Sequence, residues 1–342
     1  MQHLVEINFD VELTGFAMPE IDYLIETQLT GPASDTDESV PDIEDTTPPV
    51  SQQGDTWQLG PHRVHCGNAL DAAAFRALMG GVLAQMVITD PPYNVQIDGH
   101  VCGSGTIKHR EFVMAAGEFS RTEFQAFLAA SLSNAAKASR DGALHYVFMD
   151  WRHVDLLLAA GRDVYADLLN ICVWNKTNAG MGSMYRSQHE LICVFKNGTA
   201  SHINNIQLGR YGRNRSNVWT YAGVNTFKAG RLEELRMHPT VKPVALIADA
   251  MRDCSKRGGI VLDPFVGSGS TIVAAEETGR VCYAMDLDPR YVDLAIRRWE
   301  AFTGGRAQHA ETGITFADIT LIRRSQIPLL PPAVADEAEG RA

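Results

Sequence analysis

Short apolar runs alternate with segments of helical periodicity along most of the chain. Short clustered apolar runs predict buried strands, and apolar residues three or four positions apart predict amphipathic helices. The predicted strands cover 85–89, 144–148, 171–174, 190–195, 260–262 and 281–285, and the predicted helices cover 71–79, 121–138, 152–160, 244–256, 270–278 and 289–302. Strands that alternate with helices predict an α/β protein with a mainly parallel sheet covered on both faces. Ligands of such sheets bind beyond the carboxyl ends of the strands.

The two ends of the chain have a different pattern from its middle. Residues 31–56 are rich in Pro, Ser, Thr and Asp, so they have too little apolar surface to offset the entropy of ordering. Before them, Met18 opens a predicted short helix with Ile21, Leu24 and Ile25 on one stripe. The expected order is an N-terminal segment at 1–30, an acidic flexible linker at 31–56, a folded domain at 57–327 and a flexible tail at 328–342.

Charge is divided unevenly along the chain. The 342 residues include 30 Lys or Arg and 41 Asp or Glu, a formal net charge of −11 at pH 7 that by itself argues against a nucleic-acid partner. Residues 1–60, however, contain 13 acidic and no basic residues, whereas residues 176–242 contain 10 basic and 3 acidic residues. The net charge therefore describes the N-terminal end, and a basic region suited to nucleic acid lies within the folded domain.

The composition limits which cellular compartment and which class of protein we expect. With 45% hydrophobic and 21% charged residues, the chain has the composition of a globular protein. Its six cysteines are scattered and form no C-x-x-C pair, so neither disulfides nor structural zinc is expected. The sequence has neither the roughly 18 consecutive apolar residues of a membrane span nor a signal pattern at its N-terminus. We expect a cytoplasmic protein that holds no metal and has no membrane partner.

The first chemical motif is Asp90-Pro91-Pro92-Tyr93-Asn94, which follows the strand predicted to end at residue 89. Two consecutive prolines end the strand and stiffen the turn, so the Asp and Tyr side chains are held at the edge of the sheet. Asp-Pro-Pro is also a common structural way to end a strand. The tyrosine at this position favours a functional interpretation.

The second motif is a glycine turn between a strand and a helix. It reads Asp263-Pro264-Phe265-Val266-Gly267-Ser268-Gly269. Gly267 and Gly269 let backbone amides approach a ligand, and the N-terminus of the following helix favours a negative group. The turn matches neither the Walker pattern nor G-x-G-x-x-G. A small ligand with a carboxylate therefore suits it better than a pyrophosphate.

A third position follows at a fixed spacing from this turn. Asp286 ends the strand predicted at 281–285, where an acid can bind both hydroxyls of a ribose. The alternative is an acid that caps the helix beginning at Asp288-Pro289. A glycine turn followed by this acid indicates a nucleoside with an anionic tail, and S-adenosyl-L-methionine has that shape.

Together these motifs resemble the β-group of amino-directed DNA methyltransferases, in which D-P-P-Y precedes F-x-G-x-G. The resemblance spans roughly residues 57–304 and implies a Rossmann-like, S-adenosylmethionine-dependent fold with a doubly wound sheet and an inserted target-recognition region. It implies double-stranded DNA as partner, a setting such as restriction–modification, and a homodimer as one possible state. N6-adenine is favoured over N4-cytosine, because the motif begins with Asp and not Ser.

Further residues gain expected roles from the resemblance. Residues 238–243 match the family's H-P-T-x-K-P box, which helps close over the methionine end of the cofactor, and Asn68 stands where the family usually has an acid that faces the adenine. The implied catalytic residues are Asp90, Pro91, Pro92 and Tyr93, and the implied cofactor-binding residues are Asn68, Asp90, Thr240, Lys242, Asp263, Phe265, Gly267, Gly269 and Asp286.

The DNA-contacting residues are expected in and near residues 197–236, where the family places target recognition. Arginines there alternate with asparagines, a mixture suited to phosphates and to the edges of guanine and adenine, although a solvated basic loop has the same composition. The expected DNA contacts are Arg186, Arg210, Arg213, Asn214, Arg215 and Asn217. Trp174-Asn175-Lys176 and the stretch from Tyr185 to Glu190 resemble the family's later motifs near the target-base pocket. His189 and Glu190 fit a buried structural pair equally well.

The residue types suit methyl transfer to an exocyclic amine. The lone pair of that nitrogen is delocalised into the ring, and hydrogen bonds to Asp90 and to the Pro91 carbonyl would favour a reactive pyramidal geometry. Tyr93 offers a face on which the flipped base stacks. Alternatives that keep the fold are an RNA amino-methyltransferase and a non-catalytic DNA-binding regulator. Residues 4–29 resemble the segment before the linker in ParB-type domain–methyltransferase fusions, so an upstream ParB-like module is a further possible partner.

Overall fold

The computed structural model describes residues 4, 11–29, 48–95, 114–180, 184–209, 215–223 and 241–325. In these ranges the strands are β1 (Thr56–Leu59), β2 (His62–Cys66), β3 (Ala84–Thr89), β4 (Ser139–Met149), β5 (Asp167–Lys176), β6 (His189–Lys196), β7 (Val218–Tyr221), β8 (Ile260–Asp263), β9 (Val281–Asp286) and β10 (Gln308–His309). The α-helices are α1 (Met18–Leu29), α2 (Ala72–Met79), α3 (Arg121–Lys137), α4 (Val154–Val164), α5 (Val244–Cys254), α6 (Ser270–Thr278), α7 (Pro289–Thr303) and α8 (Phe316–Ser325).

The strands form one sheet in the order β10-β1-β2-β9-β8-β3-β4-β6-β5-β7. Its centre, from β2 to β4, is parallel, while β6 runs antiparallel between β4 and β5. Within β3, Met86 and Ile88 belong to one apolar cluster and Val87 to another, so the sheet is covered on both faces. The predicted α/β fold with a mainly parallel, doubly wound sheet is confirmed.

The register of the parallel strands brings their carboxyl ends to one edge. Cys66 of β2 pairs with Asp286 of β9, and Asp263 of β8 pairs with Ala284 of β9. On the other side of β8, Leu262 pairs with Val87 of β3. The segments that follow β2, β3, β8 and β9 therefore start close together.

All six predicted strands and all six predicted core helices are present, with ends that differ by a few residues. The pattern did not predict β1, β2, β7, β10 or α8. Polar side chains at His62, Arg63 and His65 interrupt the apolar run of β2. These strands are short and stabilised by pairing with distant segments, a contribution that local hydrophobicity does not record.

The N-terminal helix α1 confirms the helix predicted from Met18, with Ile21 and Ile25 buried. Its Asp22 binds the guanidinium of Arg280, a residue that lies just before β9 and is also buried. Since Asp286 ends the same strand, this contact lies at the opposite edge of the sheet from the carboxyl ends. Helix α1 is thus packed against the folded domain at the edge of the sheet opposite the carboxyl ends of the parallel strands.

The folded body begins earlier than the expected boundary at residue 57. The backbone amides of Val50 and Ser51 donate to the carboxylate of Asp293 at 2.6 and 2.8 Å, and Arg323 donates to the Val50 carbonyl at 2.5 Å. Residues 50–56 are therefore attached to the body and are not part of a flexible linker. The rest of the expected linker, 31–47, and the expected tail, 328–342, lie outside the described residues.

Neither a membrane-spanning helix nor a metal-binding cluster is present among the described residues. Within them, no helix has both the length and the apolar character needed to cross a bilayer. In the same ranges, no group of three or more His, Cys, Asp or Glu side chains is arranged to hold a metal ion.

Candidate active site

One cavity opens at the carboxyl edge of the central strands. It collects residues from four strand ends: Asn68 after β2, Asp90–Tyr93 after β3, Asp263–Gly267 at the end of β8, and Asp286 at the end of β9. The three motifs that the sequence separates by up to about 200 positions are therefore neighbours in space. Lys242, just before α5, completes the wall of this cavity.

The turn after β3 is rigidly held. The Tyr93 hydroxyl donates to Asp90 Oδ1 at 2.6 Å, so the first and last residues of the D-P-P-Y motif are joined directly. The next residue, Asn94, has a positive φ of 55°, which asparagine tolerates better than most residues. Its side chain donates to the Phe119 carbonyl at 2.8 Å and accepts from the Gly117 and Phe119 amides. These bonds fix the direction in which the motif points.

The glycine turn is organised around Asp263. Its carboxylate accepts from the hydroxyls of Thr89 (3.1 Å) and Thr271 (2.6 Å) and from the Phe265 amide (3.1 Å). Burial raises the pKa of Asp263 to about 6, although these bonds act in the opposite direction. Asp263 was expected to bind the cofactor; its hydrogen bonds join β3, β8 and α6, and it lines the cavity as part of that framework.

Gly269 allows α6 to pack closely on α7. It has a φ of +84°, and a Cβ at this position would lie 3.0 Å from the Cα of Ala295 in α7. Side chains are strained at such a φ, and a Cβ would also require the neighbouring backbone to move by a few tenths of an ångström. The glycine therefore permits both the turn and the approach of the helix.

Asp286 is held by the glycine turn itself. The Gly267 amide donates to its Oδ2 at 3.0 Å, and the Asp288 amide donates to its Oδ1 at 2.9 Å. Asp288 is the residue that caps α7, accepting from the Arg290 amide at 3.0 Å, so the cap does not require Asp286. Burial raises the pKa of Asp286 to about 7. Each of its oxygens keeps a free lone pair for a further donor in the cavity.

A second group of polar side chains lies beside Asp90. The Lys242 ammonium contacts Asp90 Oδ2 and also lies 3.2 Å from Oε2 of Glu190. The Tyr93 hydroxyl is 3.1 Å from the same Oε2, and the Lys176 ammonium contacts Glu190 Oε1 at 2.5 Å. We call these five residues the acid–lysine cluster. It contains two carboxylates and two ammonium groups, so its charges balance.

The titration of this cluster follows from burial and from its own charges. Burial raises the pKa of Asp90, and the Glu190 carboxylate adds to this effect while Lys242 and Tyr93 oppose it. Burial also disfavours ionised Glu190, but the ammonium groups of Lys242 and Lys176 outweigh it and lower the pKa of Glu190 to about 2. For Lys242, the two carboxylates outweigh burial and raise its pKa. Glu190 and Lys242 are therefore charged at neutral pH.

Aromatic rings enclose the Lys242 ammonium on its other sides. It lies 5.4 Å from the ring centre of Phe148, 5.6 Å from that of Tyr93 and 6.0 Å from that of Trp174. Only 6% of Lys242 is exposed. The ammonium is thus stabilised by carboxylates and π faces rather than by water.

Two expected cofactor contacts have other partners in the structure. The Asn68 side-chain oxygen accepts from the Leu70 amide at 2.9 Å and so closes a local turn, while Asn68 still faces the cavity. Lys242 was expected at the methionine end of the cofactor, but its ammonium lies on Asp90 and Glu190. Thr240, the other residue of that box, lies outside the described residues.

The residues expected to contact DNA do not share one setting in the structure. Arg186 is exposed, and its guanidinium donates to the carbonyls of Ala179 and Gly180, which shapes the loop between β5 and β6. Asn217 is also exposed and donates to the Ile171 carbonyl at 3.2 Å. Arg210, Arg213 and Asn214 lie outside the described residues.

Arg215, another residue expected to contact DNA, is packed between α5 and the ring of Trp219. Its guanidinium forms ion pairs with Asp253 (2.8 Å) and Asp249 (3.0 Å) of α5 and lies over the ring of Trp219. The side chain is 17% exposed. These contacts tie the segment before β7 to α5, and the DNA contact expected of Arg215 stays a prediction.

The selected site residues did not include Glu190, Lys176, Phe148 or Trp174. Two signals were present in the sequence: Trp174-Asn175-Lys176 and His189-Glu190 both stand next to apolar runs. Neither indicates which side chains meet, because β5 and β6 must first pair antiparallel, with Trp174 opposite Glu190. The choice between a buried structural pair and a site residue was left open for Glu190, and the structure has it buried inside the cluster.

Two protein-family models match parts of the chain. A family model described as a DNA methylase, of the N6/N4 type, matches residues 84–297. A second model, described as a ParB-methyltransferase HTH domain, matches residues 1–53, which includes much of the segment expected to be a linker.

Individual relatives agree with the first of these matches. The chain is 34% identical to the type II methyltransferase M.ScaI of Streptomyces caespitosus over 90 residues, which are 26% of this chain and 30% of that enzyme. It is 24% identical to the type II methyltransferase M.HpaI of Haemophilus parainfluenzae over 257 residues, 71% of this chain and 76% of that enzyme. The solved PvuII DNA methyltransferase, which is cytosine-N4-specific, matches with a TM-score of 0.53 and 15% identity over 82% of this chain and 95% of that chain, and thereby shows the same fold.

Proposed function

Since the chain belongs to the N6/N4 DNA methylase family, whose methyl donor is S-adenosyl-L-methionine, we propose that it methylates the N6 amino group of adenine at a specific site in double-stranded DNA. The observation that carries the proposal is the meeting of the D-P-P-Y turn and the glycine turn in one cavity. Asp90 is the catalytic carboxylate of the proposed reaction, and Asp286 is the acid that would bind the cofactor ribose.

The cavity suits the proposed cofactor. Asp286 has unused lone pairs on both oxygens, as a ribose with two hydroxyl donors requires. Phe265 and Tyr291 both line the cavity and offer apolar surface for the adenine. The N-terminus of α6, which begins at Ser270, supports the carboxylate of the methionine end. When bound, the sulfonium supplies an electrophilic methyl group and leaves as a neutral thioether.

The protein's own residues would prepare the target nitrogen. Asp90 accepts a hydrogen bond from the exocyclic amine and stabilises the positive charge that develops there, and the Pro91 carbonyl accepts the second N–H. Burial makes this charge stabilisation stronger than it would be in water. Asp90 also takes up the proton that the methylated amine loses, which its raised pKa favours. The ring of Tyr93 offers a stacking surface to the flipped base.

Adenine is proposed over cytosine because the family motif begins here with Asp90. N4-cytosine methylation is the second candidate, since the matching family model covers both reactions. The basic region between residues 176 and 242, with 10 basic and 3 acidic residues, supports a nucleic-acid substrate. We prefer duplex DNA to RNA as the substrate because this basic region includes residues 197–236, where the family has its target-recognition region.

The test is to express the chain in a methylase-deficient host and to analyse the modified nucleosides of the host DNA by mass spectrometry. We expect N6-methyldeoxyadenosine, and N4-methyldeoxycytidine would overturn the choice of base. Single-molecule sequencing of the same DNA reads the recognised site. The Asp90→Ala variant should give no modified base while still binding S-adenosylmethionine in calorimetry. Substantial methylation by Asp90→Ala would contradict the role given to Asp90.

A further inference from the structure

Both oxygens of Asp90 are occupied before any base enters the site. Oδ1 accepts from the Tyr93 hydroxyl at 2.6 Å, and Oδ2 contacts the Lys242 ammonium. An ammonium is a charged donor and competes well against the neutral amine of a base. For Asp90 to act on a target amine as proposed above, one of these two partners has to release it.

Both partners share the same second acceptor. Oε2 of Glu190 lies 3.2 Å from the Lys242 ammonium and 3.1 Å from the Tyr93 hydroxyl. Among the described residues, Asp90 and Glu190 are the carboxylates in contact with Lys242. Aromatic rings cover its other sides, so an ammonium that leaves Asp90 moves onto Glu190 and not into water.

Glu190 is prepared to receive this charge. Lys176 binds its other oxygen, Oε1, at 2.5 Å and so turns Oε2 toward Lys242 and Tyr93. The carboxyl is 7% exposed and stays ionised at neutral pH because of its two ammonium neighbours. Transfer of Lys242 from Asp90 to Glu190 leaves the cluster's total charge unchanged and needs only a small shift, because the ammonium already lies 3.2 Å from Oε2.

We propose that Glu190 is a positioning residue for methyl transfer: it takes the Lys242 ammonium from Asp90 when the target base enters, and Lys176 fixes it for this purpose. The proposal rests on the proposed methyltransferase function and goes beyond it in giving the second carboxylate a task. The freed oxygen of Asp90 then accepts from the target amine. Lys242 acts in the free enzyme as a temporary partner that keeps the buried carboxylate neutralised.

The experiment measures single-turnover methyl transfer at saturating S-adenosylmethionine and duplex DNA, as a function of pH. Glu190→Gln should lower the plateau rate roughly 10- to 100-fold, the range for a lost hydrogen bond to a charged group, with cofactor affinity unchanged. Glu190→Asp, which keeps the charge, should recover part of the rate. Glu276→Gln is the control, because this half-buried carboxylate binds the buried His62 and Trp299 and does not line the cavity.

The pH profile separates positioning from a structural role. The charged and titratable groups around Asp90 are Lys242, Tyr93, Glu190 and Asp263. Removing the like charge of Glu190 lowers the pKa of Asp90, so the acid limb of the rate profile should move to lower pH in Glu190→Gln. In Glu276→Gln it should stay in place.

A double-mutant cycle tests whether Glu190 acts through Lys242. If it does, Glu190→Gln should have little further effect in a Lys242→Met background. An unchanged rate in Glu190→Gln, or two losses that multiply in the double variant, would overturn the proposal. If Glu190→Gln does not fold, Lys176→Met carries the same test, because it releases Oε1 and leaves the carboxylate in place. Methyl transfer by the wild-type enzyme in the same assay shows that the proposed function holds independently.

Discussion

Asp22 and Arg280, 258 positions apart in the sequence, form a bidentate ion pair with Nη1–Oδ1 at 2.9 Å and Nη2–Oδ2 at 2.8 Å. Both side chains are buried, and Arg257 approaches the same carboxylate at 3.2 Å. The pair joins the N-terminal helix α1 to the start of β9. It therefore links the part of the chain matched by the HTH model to the methylase fold, at the edge away from the proposed active site.

Loss of Asp22 should destabilise the protein strongly. Asp22→Ala leaves the buried Arg280 without its counter-charge, and breaking such a pair costs about 3–5 kcal/mol. The free energy of unfolding from denaturant titration measures the effect. The matched control is Asp155→Ala, which removes an exposed partner of Arg121 and should cost less than about 1 kcal/mol. Equal effects of the two variants would contradict the structural role of the buried pair.

Cofactor affinity should rise with pH up to about pH 7. Burial raises the pKa of Asp286 to about 7, and a ribose hydroxyl donates best to the ionised carboxylate. Binding therefore favours the deprotonated form and becomes tighter as Asp286 ionises. Calorimetric titrations of S-adenosylmethionine between pH 5.5 and 8.5 check this. Asp286→Asn should bind more weakly and lose this pH dependence, and an equally steep profile in Asp286→Asn would assign the titration to another group.

The same carboxyl should affect the stability of the free protein in the opposite direction. Its pKa in the folded state lies above that in the unfolded chain, where the ordinary value is 3.8. Its contribution to stability is complete below that ordinary value and is lost as the pH rises through about 7. Asp286→Asn should therefore lose less stability than the wild type between pH 4 and 7. Thermal unfolding without ligand across this range provides the measurement.

Gly269→Ala should damage both stability and cofactor binding. A positive φ costs about 1–2 kcal/mol for a residue with a Cβ, and the new methyl group would lie 3.0 Å from the Ala295 Cα. Displacement of α6 from α7 would also shift the glycine turn. Gly304→Ala is the control, because its φ is +71° but its Cβ would meet nothing within 4 Å. A melting temperature that falls equally in both variants would show that the close approach to α7 contributes nothing.

The ring of Tyr93 should matter more than its hydroxyl. Tyr93→Ala removes the stacking surface, which is worth about 1–3 kcal/mol for one base, and should slow methylation of a paired target. Tyr93→Phe keeps that surface and should retain most of the activity. The loss in Tyr93→Ala should shrink when the target base is mismatched, because less unstacking is then needed. Equal losses in both variants would assign the function to the hydroxyl.

Much of the fold was predictable because its central strands are mainly apolar. β3, β8 and β9 are buried on both faces, and the short apolar run in each strand indicates this burial without reference to distant residues. The short outer strands β1, β7 and β10 were missed, since pairing with distant segments stabilises them. Arg215 shows the same limit for a single side chain, because its ion pair with Asp253 depends on how the segment before β7 packs on α5.

The chemical groups could be predicted from local patterns: the D-P-P-Y turn, the glycine turn and the acid that follows it are defined by residue type and spacing. Which of the charges share a site depends on the folded chain. Glu190 and Lys176 come from β6 and β5, Lys242 precedes α5, and Asp90 follows β3. Their contacts depend on strand order and register over separations of up to 152 positions. Coulomb interactions and burial act through space, so a sequence pattern names the charged groups but not their partners.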